Sequence, residues 1–194
     1  ENIEFSFENS QIGAIKIISS DSVTIRNCRC YKCSSKGKSP SAISIIGNLN
    51  NKNVKEGEDT QLGVIIEDLN FTQCGENGYA FDSLNYPLVT IRNILIEFES
   101  QSVSGGGLMI KNCGKCTVTN CIFKNTNTIA LNYALDREPA TDDSLLIDNS
   151  TFDSCVGLGC YIDILQSYSI GITIENNTFN NCKKSESHRS IAIG

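Results

Sequence analysis

The chain has 194 residues, a formal net charge of −6, ten cysteines, no tryptophan and three prolines. The acidic balance leaves no basic stripe for nucleic acid, and the longest apolar runs, such as Val64-Ile65-Ile66, are far too short to span a membrane. Ten cysteines point either to metal sites in a reducing compartment or to disulfides in a secreted protein. The sequence begins at Glu1 without a signal peptide, so any targeting segment lies outside it.

In chain order, the same short pattern recurs. Phe7 ends an earlier, truncated copy. A strand Gly13-Ala-Ile-Lys-Ile17 leads into Val23-Thr-Ile-Arg-Asn27-Cys28, and a strand Ser41-Ala-Ile-Ser-Ile45 leads into Val64-Ile-Ile-Glu-Asp68-Leu69. Tyr79-Ala-Phe81 precedes Val89-Thr-Ile-Arg-Asn93-Ile94, and Gly107-Leu-Met-Ile110 precedes Cys116-Thr-Val-Thr-Asn120-Cys121. Ile129-Ala-Leu131 precedes Leu145-Leu-Ile-Asp-Asn149-Ser150, and Gly159-Cys-Tyr-Ile-Asp-Ile164 precedes Ile172-Thr-Ile-Glu-Asn176-Asn177. A last strand reads Ser190-Ile-Ala-Ile193. Three residues after each Asn or Asp stands a bulky or apolar residue: Cys30, Phe71, Ile96, Phe123, Phe152 or Phe179. The Asn/Asp positions are 41, 25, 27, 29 and 27 residues apart, the first interval being lengthened by a polar insertion over 47–63.

Each unit is strand, turn, strand, sharp bend, strand and variable loop. Three strands in about 25 residues hold no core of their own, but stacked coils bury one, each strand pairing in parallel with its copy at roughly 4.8 Å. Alternation sends Val23 and Ile25, and their counterparts through Ile172 and Ile174, inward. The expected fold is all-β: one right-handed, single-stranded parallel β-helix segment over 1–194, of about seven rungs with three strands each, and part of a longer chain. The bend column Asn27, Asp68, Asn93, Asn120, Asn149 and Asn176 suits a residue at positive φ, and its stacked side chains are expected to hydrogen-bond near the core.

Gly13-Ala-Ile15 and Gly106-Gly-Leu-Met109, with Phe71-Thr-Gln-Cys74, Phe152-Asp-Ser-Cys155 and Phe179-Asn-Asn-Cys182, resemble the two signatures of the polymorphic outer-membrane protein repeat. That repeat lies within the pectin-lyase-like β-helix superfamily, and the resemblance covers nearly the whole chain. Cysteine stands where the bacterial repeat has Asn, which is more similar to secreted protist versions. The resemblance implies a secreted or surface-exposed protein, with adhesion as its work.

Catalysis on such a fold needs paired carboxylates, a calcium cluster with a basic residue, or a His-assisted site. Along the outward positions of the first strands the sequence reads Lys16, Ser44, Asp82, Met109, Asn132, Asp163 and Ala192. The two acids fall three rungs apart, roughly 14 Å, too far for a hydrolytic pair. Clustered Asp with Gly-His-Gly is missing, as are Arg-rich lyase motifs, and the lone His188 sits in a polar run. No catalytic residue, metal or cofactor is therefore expected. Cys113-Gly-Lys-Cys116 and the cluster Cys28, Cys30, Cys33 lie three rungs apart and cannot share one zinc.

Cys33 and Cys74, and likewise Cys155 and Cys182, fall six residues after the bend on adjacent rungs, a separation that a disulfide accepts. Cys113 and Cys116 could close a small loop, and stacked thiols are the alternative to all three bridges. Sequons occur at Asn70, Asn149 and Asn176. Asn70 is outward and the better acceptor, whereas burial of the bend column is expected to oppose a glycan at the other two. The loops 48–61, 99–106 and 136–144 are expected to protrude and to carry any binding function.

The expected function is a non-catalytic structural or adhesive module at the cell surface or outside the cell. Its partners are other chains or further rungs at its open ends, and surface glycans. The alternative is a carbohydrate-binding or carbohydrate-active β-helix with a divergent site.

Overall fold

The computed structural model describes residues 3–6, 15–18, 22–33, 41–47, 63–74, 78–99, 105–164, 169–182 and 191–193. After β1 (Ile3–Ser6), six units of three strands follow. They are β2 (Ile15–Ile18), β3 (Ser22–Arg26) and β4 (Cys28–Tyr31); β5 (Ile43–Ile46), β6 (Gly63–Glu67) and β7 (Asn70–Thr72); and β8 (Tyr79–Leu84), β9 (Leu88–Arg92) and β10 (Leu95–Glu97). The series continues with β11 (Gly106–Lys111), β12 (Lys115–Thr119) and β13 (Ile122–Lys124); β14 (Ile129–Leu135), β15 (Ser144–Asp148) and β16 (Thr151–Asp153); and β17 (Leu158–Ile164), β18 (Gly171–Glu175) and β19 (Thr178–Asn180), before β20 (Ile191–Ile193). The strands form three parallel sheets of seven, seven and six members, each pairing with its copy one unit away. Six complete rungs thus carry one further strand at each end, slightly fewer than the seven expected.

The alternation sorts the side chains as expected. Val64, Val89, Cys116 and Leu145 form one buried column, and Ile66, Ile91, Val118 and Ile147 the next. Cys30, Phe71, Ile96, Phe123 and Phe152 fill the third side. Phe123 and Phe152 stack with ring centroids 4.8 Å apart, and Phe152 and Phe179 at 4.6 Å, because rung spacing and ring thickness nearly match. In the first strand pairing, β1 sits in the third-strand sheet as expected, but Phe5 faces Cys30 in register. The residue ending the truncated copy is therefore Phe5. Phe7 lies outside the described residues, as does the insertion between Gly47 and Gly63.

All six bend residues adopt positive φ, between 47° at Asn149 and 57° at Asp68. They are exposed, which corrects the expectation of a ladder near the core. The bend turns the side chain outward, and its hydrogen bonds run along the surface: Asn93 Nδ2 donates to Asp68 Oδ1 at 3.0 Å, and Asn149 Nδ2 to Asn120 Oδ1 at 2.6 Å. Asn176 donates instead to Asp148 Oδ1 at 2.9 Å. A second corner was not legible. Five residues after the first bend, Lys32, Gln73, Asn125, Ser154 and Asn181 also have positive φ, and Asn85 and Asn112 do so at the third corner. Because Lys, Gln and Ser rarely mark such a conformation, composition gives no signal there.

The exposed bends make a clean test of backbone preference. Asn120→Ala places a Cβ-bearing residue without polar help at φ 54° and removes the acceptor for Asn149. It should lower stability by about 1–2 kcal/mol, and Asn120→Gly should lower it less. Urea unfolding midpoints rank the two, and a harmless alanine would contradict the bend argument.

Candidate functional site on the outer face of the first sheet

The sheet made by β2, β5, β8, β11, β14, β17 and β20 carries one column of outward positions near its centre. In register this column reads Lys16, Ser44, Asp82, Met109, Asn132, Tyr161 and Ala192. Tyr161 takes the place expected for Asp163, which pairs with Ala134 one outward position further along. The alternation in Gly159-Cys-Tyr-Ile-Asp-Ile keeps the same face under a two-residue slip, so pattern alone cannot choose between the registers. Asp82 and Asp163 remain three rungs apart and now also lie in different columns.

The column is unusually closed for an outer face. Ser44 is 5% exposed and Asn132 8%. Gly106 explains part of this. It faces Tyr79 in register, and a Cβ there would come within 2.8 Å of the Tyr79 ring and 2.9 Å of Thr128 Oγ1. The missing side chain lets Tyr79 lie flat across the sheet, where its hydroxyl accepts a hydrogen bond from Asn132 Nδ2 at 2.9 Å, two rungs away. Sequence reading placed Tyr79 only as strand; the usable signal was a glycine one unit later in the same register.

On this face Asn132 Oδ1 is buried without a hydrogen-bond partner, and the buried Asp82 carboxylate has the hydroxyls of Ser44 and Ser41 beside it. Burial raises the Asp82 pKa, and the side chains of Ser44 and Ser41 and the Lys16 ammonium pull the other way. Orphaned buried acceptors are costly, so this face favours a group that brings hydroxyl or amide hydrogens to it. Among the described residues no group of three or more His, Cys, Asp or Glu side chains is placed to hold a metal ion. His188 lies outside the described residues.

Several of the other charged groups bind rung to rung. On the neighbouring sheet Arg26, Glu67 and Arg92 share one column, and the buried Glu67 carboxylate pairs with both guanidinium groups. The 136–144 loop does not simply protrude. Arg137 bonds the Asn112 carbonyl and pairs at 2.8 Å with Asp143, which is buried against the corner at Gly114. Of the two other loops expected to protrude, 48–61 lies outside the described residues, as does the stretch 100–104 of the loop 99–106.

All ten cysteines are buried thiols in this structure. Each pair singled out by spacing is brought together: Cys33 with Cys74, Cys155 with Cys182, and Cys113 with Cys116. Cys30 adjoins Cys33 as well, and Cys74 Sγ donates to the Cys30 carbonyl at 3.1 Å. The sequons at Asn70, Asn149 and Asn176 are all exposed, so burial does not separate them as expected. What sets Asn70 apart is its place on the outer face of β7, away from the bend hydrogen bonds that engage the other two.

Three parallel sheets, wound as one strand from each per turn around a continuous apolar core, define a three-sided β-solenoid. The chain belongs to the right-handed β-helix family: the family described as right handed beta helix region matches residues 3–191. No curated protein and no solved structure matches the chain. No helix among the described residues is long and apolar enough to cross a membrane.

Proposed function

We propose that the chain serves as a non-catalytic structural or adhesive rod in a secreted or cell-surface protein. The observation that carries this reading is where its specialised side chains act. The bend asparagines, the stacked phenylalanines and Glu67 with its two arginines all join one rung to the next. Such a design makes a stiff, regular body whose outer faces and ends are left for partners. At one end β18 and β19 close their sheets, with Ile172, Ile174 and Phe179 only partly buried. Parallel strands of another chain or of further rungs fit there, through the open backbone and the apolar edge. Sedimentation velocity at increasing concentration should show association. A monomer at every concentration, with slow amide exchange at 171–180, would count against an adhesive end.

The unpartnered Asn132 Oδ1 and the buried Asp82 carboxylate on the same column favour a second reading, a carbohydrate-binding face on the first sheet. A sugar carries hydroxyl donors for the Asn132 acceptor, and Tyr79 offers an aromatic surface beside it. A glycan array joined to a lyase and hydrolase screen separates the readings. Binding lost in Asn132→Ala without turnover supports the second. Turnover abolished by Asp82→Ala or Asp163→Ala would overturn both in favour of an enzyme.

A further inference from the structure

The last complete rung of the described stack is paired like those before it but is less deeply buried. Its inward residues Ile172, Ile174 and Phe179 stay partly buried, and among the described residues β18 and β19 are the outermost strands of their sheets. Besides the strand pairing of β15 with β18 and of β16 with β19, side-chain links to the preceding rung include the Phe152–Phe179 stack, Asn177 Nδ2 to the Ile147 carbonyl at 2.8 Å, Ser150 N–H to Asn177 Oδ1 at 2.8 Å, and the Asn176–Asp148 bond.

A pair of thiols lies at the outer limit of those links. Asp153 and Asn180 face each other in register, and Cys155 and Cys182 each follow two residues later. Both sulfurs turn into the core: Cys155 Sγ toward the Phe123 carbonyl at 3.8 Å, and Cys182 Sγ toward the Phe152 carbonyl at 3.3 Å. They therefore stand in one column, one rung apart, at a spacing of roughly 4.8 Å that falls inside the Cα range a disulfide accepts. The two thiols also hydrogen-bond to each other.

We propose that Cys155 and Cys182 form a redox staple, joined by exchange with a small disulfide and released by reduction, that locks the last complete rung onto the stack. The inference does not depend on the adhesive reading. The roles of the two sulfurs are unequal. Cys182 is 7% exposed and Cys155 0%. The hydrogen bond from Cys155 brings the Cys182 thiol down to about 7, against burial and the nearby Asp153 carboxylate, while Cys155 is pushed up. Cys182, the more accessible of the two sulfurs, is thus the attacking group in its thiolate form. It adds to one sulfur of a small disulfide such as oxidised glutathione and expels one glutathione thiolate. Cys155 then loses its proton to solvent and attacks Cys182 Sγ, expelling the second glutathione. Two protein thiols become one S–S bond, and one small disulfide becomes two small thiols.

The test uses the full chain incubated with oxidised or reduced glutathione. Mass spectrometry of unreduced digests should find Cys155 linked to Cys182 after oxidation. Amide exchange over 171–180 should then slow by about tenfold, a local rather than global change, and revert on reduction. Cys155→Ser should trap Cys182 as the glutathione adduct, and Cys182→Ser should leave Cys155 unmodified. Should either variant fail to fold, alkylation of the parent decides: Cys182 should react about tenfold faster than Cys155 at neutral pH. Absence of the linked peptide, linkage with unchanged exchange at 171–180, or equal alkylation rates would overturn the proposal.

Discussion

Replacing Phe152 by alanine should destabilise the chain by about 3–5 kcal/mol, the loss typical of a buried aromatic truncated to a methyl. Phe152 is fully buried and sits between two parallel rings, Phe123 on one side and Phe179 on the other. Its removal opens a cavity and leaves both neighbours without a stacking partner. The rungs cannot close the gap cheaply, because their spacing is set by the backbone pairing of β13, β16 and β19. Ile147→Ala in the adjacent sheet should cost about 2–5 kcal/mol by the same cavity argument. Phe179→Ala should cost less than Phe152→Ala, since Phe179 is only partly buried and stacks on one side. Denaturant unfolding of the three variants checks the order. A Phe152→Ala protein melting like its parent would show that the aromatic column does not organise the core.

The same column shows why so much of this fold was legible. A solenoid repeats one local rule, so Phe123, Phe152 and Phe179 each report the same register, and an error in one unit is exposed by the others. The bend asparagines were readable for a related reason: six copies at positive φ select a residue that tolerates it. Their exposure was not readable, because backbone tolerance and side-chain burial are separate demands that select the same residue type. The outer face of the first sheet was legible only in part. Lys16, Ser44, Asp82, Met109 and Asn132 stand in register as the repeat implied. Asp163 was expected where Tyr161 stands, since a two-residue slip preserves inside and outside. Tyr79 was hidden because its importance lies in a contact two rungs away with Asn132, which no single repeat contains. Thiol pairing had a middle status. Spacing brought Cys155 to Cys182 and Cys33 to Cys74, while the oxidation state depends on the surroundings rather than on the chain.

Gly107→Ala should be the most damaging small substitution in the first sheet. A Cβ at this position would stand 2.0 Å from the Ala130 carbonyl oxygen and 2.9 Å from the Phe123 ring. The first obstacle is backbone of the next rung, not the end of a flexible side chain. That backbone is fixed by the pairing of Leu108 with Leu131 and of Ile110 with Tyr133. Relief therefore requires β11 and β14 to part or to shift in register, with strain passed to Phe123 and its stack. Overpacking of this kind costs about 1–3 kcal/mol, and more where the neighbours cannot move. Gly171→Ala provides the control, because its Cβ would find only the Ser144 Cβ at 3.9 Å, an ordinary contact. It should leave stability within about 0.5 kcal/mol of the parent. Thermal unfolding of the two variants should separate them clearly, with loss of protection in β11 and β14 by amide exchange only in Gly107→Ala. Equal melting of both would mean that the sheet yields at Gly107, and that the glycine there is not required by rung-to-rung contact.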